Sequence, residues 1–267
     1  MTLTIGLVAN VYNECNALPG WLECHTPYFD DVRVVHAGPQ GKHSDDGTIE
    51  ILEKWRIPTL YMPIDGGFGV VRTRAIHSSP CDYVMLLDAD ERFYPVHRVL
   101  RCEGEPTPQY EVDQILNTYD FREGRTPDWE LLKKLGAGLS VNFLTTYDQG
   151  ARLREILEQD KPDVVCSIRR HWHDLSFRRP TQNWHSDPDW QARIVRNSPD
   201  IYFDPGTKMH ERLVGAQTKS YADMVRGPFF EHFHFTMKRM EQEQRAQDVL
   251  IYDAINEGKV PPVKGAV

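Results

Sequence analysis

The stretch Tyr83-Val-Met-Leu-Leu-Asp-Ala-Asp-Glu91 decides the fold. A short apolar run ends abruptly on Asp88-Ala89-Asp90-Glu91, the pattern of a buried strand that delivers polar groups at its end. Upstream the pattern recurs: Thr4–Val11, Asp31–His36 and Thr59–Met62 read as strands. Between them, 16–24, Thr48–Trp55 and Gly69–Ser78 read as helices, the last opened by Gly66-Gly67-Phe68-Gly69. This alternation predicts an α/β fold, with a mostly parallel central sheet flanked by helices on both faces. Ligands of such sheets bind beyond the carboxyl ends of the strands. Three polar stretches fall at those ends: Asn13-Glu14, the His36–Asp46 loop, and Asp88–Glu91.

Further along, 97–162 is less regular and reads as a helical insertion or lid, with helices at Trp129–Leu135 and Tyr147–Gln159. Strands resume at Val164–Arg170, Gln191–Arg196 and Ile201–Phe203, and an amphipathic helix closes the chain at Thr236–Asn256. The expected division is 1–96 for the alternating α/β half, 97–162 for the insertion and 163–267 for the C-terminal part, all within one continuous domain.

The 267 residues carry 31 Lys and Arg against 39 Asp and Glu, a formal charge of −8. That excludes a basic wrapper of nucleic acid. The five cysteines show no CxxC pair and read as reduced packing residues. No apolar stretch approaches the roughly 20 residues that span a bilayer, and no signal-type leader opens the chain, so a cytoplasmic location is expected.

Asp88 and Asp90 at a strand end offer hard oxygen ligands suited to Mn²⁺ or Mg²⁺, and a metal there neutralises a diphosphate. Four segments in order carry a family resemblance: Ile5-Gly-Leu-Val-Ala-Asn-Val-Tyr-Asn-Glu14, Ser44-Asp-Asp-Gly-Thr48, Gly67-Phe-Gly-Val-Val-Arg-Thr-Arg-Ala75 and Leu86-Leu-Asp-Ala-Asp-Glu91. Trp190-Gln-Ala-Arg-Ile-Val-Arg196 and Met209-His-Glu-Arg-Leu213 extend it. Together they resemble family 2 glycosyltransferases of the GT-A fold.

The resemblance implies transfer of a sugar from a nucleoside-diphosphate sugar, a UDP-sugar favoured, to an acceptor hydroxyl, with inversion. It places Asn13, Glu14 and Asp46 at the nucleoside, Arg72 or Arg74 at the diphosphate, and Asp88 and Asp90 at the metal, Asp90 being the preferred direct ligand. His210 and His234 fit a further metal ligand from the C-terminal half, ahead of His232. Glu211 matches the catalytic base, with Asp187 and Asp189 behind it; otherwise Glu211 forms an ion pair with Arg212 or Arg193. The family's aspartate at the end of the second strand is replaced here by His36-Ala37.

Residues 167–185 carry four arginines and one acid among tryptophans and histidines. Such a segment suits an acceptor site or a polyanion, a nucleic acid among the less favoured possibilities. Two other functional classes compete. A nucleotidyltransferase would show a glycine- and arginine-rich loop after the first strand, where Asn10-Val-Tyr-Asn-Glu14 stands. A degenerate, non-catalytic sugar- or nucleic-acid-binding module would not need Asp88, Asp90, Glu211 and His234 together.

Overall fold

The computed structural model describes residues 2–103, 140–172, 189–206, 212–222 and 227–233. Its first half follows the expected alternation. The strands are β1 (Ile5–Val11), β2 (Asp31–Gly38), β3 (Thr59–Pro63) and β4 (Tyr83–Leu86), and the helices are α1 (Leu18–His25), α2 (Thr48–Trp55) and α3 (Phe68–Ser78). β1 is parallel to β2 and to β4, and β2 is parallel to β3.

The second half completes the same sheet. β8 (Val164–Trp172), β9 (Asp189–Arg196), β12 (Lys219–Tyr221), β13 (Phe229–Phe233) and the two-residue β5 (Glu91–Arg92) give the order β3-β2-β1-β4-β9-β8-β13-β5, with β12 beside β8. β9 lies antiparallel between β4 and β8, while β13 is parallel to β8. The expected mostly parallel α/β sheet is therefore present, and it is continuous across both halves. A further pair, β10 (Tyr202–Phe203) and β11 (Leu213–Val214), stands apart from it.

Alternation along β1 divides the core. Ile5, Leu7, Ala9 and Val11 face a cluster containing Trp21 and Leu22 of α1 and Leu52 of α2, while Val8 faces Val71, Ala75 and Ile76 of α3. Sequestering β1 from water on both faces accounts for its near-continuous apolar sequence. Two glycines permit turns next to the polar loops. Gly47 (φ 97°) precedes α2, and Gly67 (φ 87°, ψ 164°) precedes α3 in a region almost closed to other residues.

The flanks of 97–162 depart from the helical reading. β6 (Val96–Glu103) and β7 (Ser140–Asp148) pair antiparallel as a two-stranded sheet of their own. The β-branched and aromatic residues of 140–147 favour extended backbone. Helix α4 (Gln149–Gln159) then starts two residues later than expected, because the Asp148 carboxylate caps it, accepting the Ala151 amide at 2.7 Å. Leu153, Ile156 and Leu157 of α4 join the α1 side of the core. The expected helices at Trp129–Leu135 and Thr236–Asn256 lie outside the described residues.

Candidate active site

Two loops meet beyond the carboxyl ends of β1 and β2. Asn13 takes a left-handed conformation (φ 55°), which turns the next amides toward the 44–48 loop. The amides of Asn13, Glu14 and Cys15 donate to Ser44 Oγ (2.9 Å), Thr48 Oγ1 (2.8 Å) and Asp46 Oδ2 (3.0 Å). Asp46 Oδ1 accepts from the Thr48 amide (3.0 Å) and hydroxyl (2.6 Å). Burial raises the Asp46 pKa, but these hydrogen bonds outweigh it and hold the carboxyl below its ordinary value. Both Asp46 oxygens thus close the loop, a role that the resemblance did not supply.

His36 does similar work at the end of β2. Its Nε2 accepts the Ser44 amide (3.1 Å) and lies 2.8 Å from Ser44 Oγ. Burial, then the charge of His43, lowers its pKa, against smaller opposing contributions from its own backbone and Asp46. The neutral ring is the form that can accept an N–H. His43 and Tyr61 stack beside it with centroids 4.9 Å apart, and Tyr12 meets His36 edge-on at 5.8 Å.

The second cluster is the turn after β4. The Glu91 amide donates to the Asp88 carbonyl (2.9 Å), and the Asp88 amide donates back to Glu91 Oε2 (2.9 Å). Asp88 is gripped from α3 by Arg72 Nη2, 3.2 Å from both carboxylate oxygens, and from β9 by Arg193 Nη2 at 3.3 Å. Arg193 also reaches Glu91 Oε1 at 2.8 Å, and Arg169 of β8 approaches the same oxygen at 3.4 Å. Burial raises the Asp88 pKa, but the charges of Arg72 and Arg193, with the Arg72 hydrogen bond and Arg169, hold it well below the usual carboxylate range. Asp90 meets His232 of β13, Oδ2 to Nε2 at 3.0 Å. Burial lowers the His232 pKa, Asp90 and Glu91 raise it more, and the net shift is upward.

The structure brings together Asn13, Glu14 and Asp46 in one cluster, and Arg72, Asp88 and Asp90 in the other. Arg74 is exposed: residues two apart on a helix point about 200° apart, so Arg74 cannot share the Arg72 contact. Asp189 opens β9 opposite Arg169. Glu211, Asp187, His210 and His234 lie outside the described residues. Asp88 meets the arginines, and among the described residues the histidine that meets Asp90 is His232. Arg193 bridges Asp88 and Glu91.

Among the described residues no group of three or more His, Cys, Asp or Glu could hold a metal, and no helix is long and apolar enough to cross a membrane. The carboxylate oxygen of Asp90 and the imidazole nitrogen of His232 nonetheless form a donor pair that suits Mn²⁺ or Mg²⁺. Such ions commonly take few protein ligands and fill the remaining positions with phosphate and water.

No family model matches the chain, and no curated protein matches it in sequence. Solved structures are similar in fold. S. aureus TarS matches 95% of this chain at 14% identity with a TM-score of 0.47, and the chain spans 40% of the length of that protein. TarS 1–349 in complex with UDP-GlcNAc matches 97% of this chain and 68% of its own, at 14% identity and a TM-score of 0.45. Glucosyl-3-phosphoglycerate synthase from Mycobacterium tuberculosis, with Mn²⁺, UDP and phosphoglyceric acid, matches 34% of each chain at 20% identity and a TM-score of 0.29.

Proposed function

We propose that this chain is a GT-A-type glycosyltransferase that moves a sugar from a nucleoside-diphosphate sugar to an acceptor hydroxyl. One observation carries the reading: the turn after β4 presents Asp90 against His232 and fixes Asp88 between two arginines. A bound Mn²⁺ or Mg²⁺ would be held by Asp90 and His232 and would supply charge neutralisation at the leaving diphosphate. The loop stitched from Asn13, Ser44, Asp46 and Thr48 would receive the nucleoside.

In the transfer, the acceptor oxygen forms its bond to the anomeric carbon as the bond from that carbon to the phosphate oxygen breaks. The diphosphate leaves with the electron pair, and the acceptor proton passes to a base. Glu211 is the proposed base, with Asp187 and Asp189 as the next candidates; attack opposite the leaving group inverts the anomeric centre. A UDP-sugar is the first donor to test. A thermal-shift screen of nucleoside diphosphates, with and without Mn²⁺, should show stabilisation by UDP that requires the metal. Asp90→Ala should lose that shift and the transfer. No stabilisation by any nucleoside diphosphate, or full turnover in Asp90→Ala, would refute the reading.

A further inference from the structure

Glu91 is fully buried at the centre of the turn that presents Asp90, yet nothing in the transfer itself requires a carboxylate there. A buried carboxylate is costly unless it is paired and hydrogen-bonded. Glu91 meets that cost by joining three elements. Its Oε2 accepts the Asp88 amide, and its Oε1 accepts from Arg193 of β9 and lies near Arg169 of β8. Its own amide returns to the Asp88 carbonyl, so the turn is closed once by backbone and once by side chain. In the ladder, Glu91 is the register partner of His232. One residue therefore sets the Asp88–Asp90 turn through its side chain and the strand position of His232 through its backbone.

We infer that Glu91 is a positioning residue that holds Asp90 and His232 in the geometry that binds a divalent cation, without touching the cation itself. The inference rests on the proposed metal-dependent reading. Charge and reach are separable here. Aspartate keeps the charge but is one methylene shorter, so it cannot span the Asp88 amide and Arg193 together. Loss of a residue that orients a metal ligand typically weakens metal binding about 10–100-fold.

The experiment measures Mn²⁺ binding directly, by the electron paramagnetic resonance signal of free Mn²⁺ and by calorimetry, on the full chain well below its melting temperature. Wild type should bind Mn²⁺, Asp90→Ala should not, and Glu91→Asp should bind at least about tenfold more weakly. Raising Mn²⁺ should restore kcat in Glu91→Asp, which a merely structural lesion would not allow. Where Glu91→Asp folds poorly, Glu91→Gln with Arg193→Met removes one charge of each sign and should still bind weakly. Mn²⁺ affinity equal to wild type in a folded Glu91→Asp or in the double variant overturns the inference. Equal binding by wild type and Asp90→Ala overturns the metal reading instead.

Discussion

Arg193→Met tests whether the paired charges under the β4 turn hold the sheet together. The Arg193 side chain is 7% exposed, bonds Glu91 at 2.8 Å and Asp88 at 3.3 Å, and lies over the Phe230 ring at 5.6 Å. Methionine preserves much of the apolar stem but removes the charge. Breaking a buried pair costs about 3–5 kcal/mol, because the surviving charge is left without its partner. Glu91 keeps the Asp88 amide and the longer contact to Arg169, so the lower end, about 3 kcal/mol, is expected. Glu91→Gln alone should also destabilise the protein. In the double variant neither charge is stranded, so its loss should fall short of the sum of the singles by about 1–3 kcal/mol. Urea unfolding of the four proteins gives all three differences, and unchanged slopes would show that the unfolding transition itself is the same. A cost below about 1 kcal/mol for Arg193→Met, or strict additivity, would refute the reasoning.

His25 is wholly buried, and its Nε2 accepts the Phe93 amide at 2.9 Å. Burial, and then the charge of Arg92, places its pKa well below 6.5, despite a backbone contribution from Trp21. The unfolded chain therefore takes up a proton first as pH falls, and stability present above 6.5 declines by about 1.4 kcal/mol per pH unit until the folded pKa is reached. The difference in urea stability between wild type and His25→Asn across this range should show that slope; a flat difference would contradict it. Ser44→Ala removes the acceptor of the Asn13 amide and the hydroxyl beside His36 Nε2, which keeps the Ser44 amide. It should cost about 1 kcal/mol of stability and weaken UDP binding about tenfold by calorimetry; unchanged UDP affinity would separate this loop from the donor site. Asp148→Ala should cost about 1 kcal/mol by unfolding, through loss of the α4 cap.

How much was legible depended on whether partners were close in sequence. β1 and β4 are readable because burial on two faces imposes apolar runs, and α2 is readable because Ile51, Leu52 and Trp55 keep helical spacing. The Ser44–Thr48 loop announced itself through its small polar residues, although its grip on Asn13–Cys15 required the left-handed turn at Asn13. β6 escaped notice because Val96–Glu103 mixes histidine and arginine with valine and leucine without clean alternation, and its pairing with 140–148 crosses some 36 intervening residues.

The acidic turn shows the same limit more sharply. Asp88 and Asp90 were conspicuous, but their partners are selected by register. Arg193 reaches Asp88 and Glu91 because β9 runs antiparallel to β4, with Met85 opposite Ile194. The sequence ranks His232 behind His210 and His234, and it is the pairing of β13 with β5 that puts His232 opposite Glu91. A shift of one residue would turn His232 to the other face of the sheet. Changing that register should therefore affect Asp90 more than any conservative substitution on the strand. Which described histidine meets Asp90 is a property of strand pairing, and Glu91, which belongs to both the turn and the ladder, is where the two are joined.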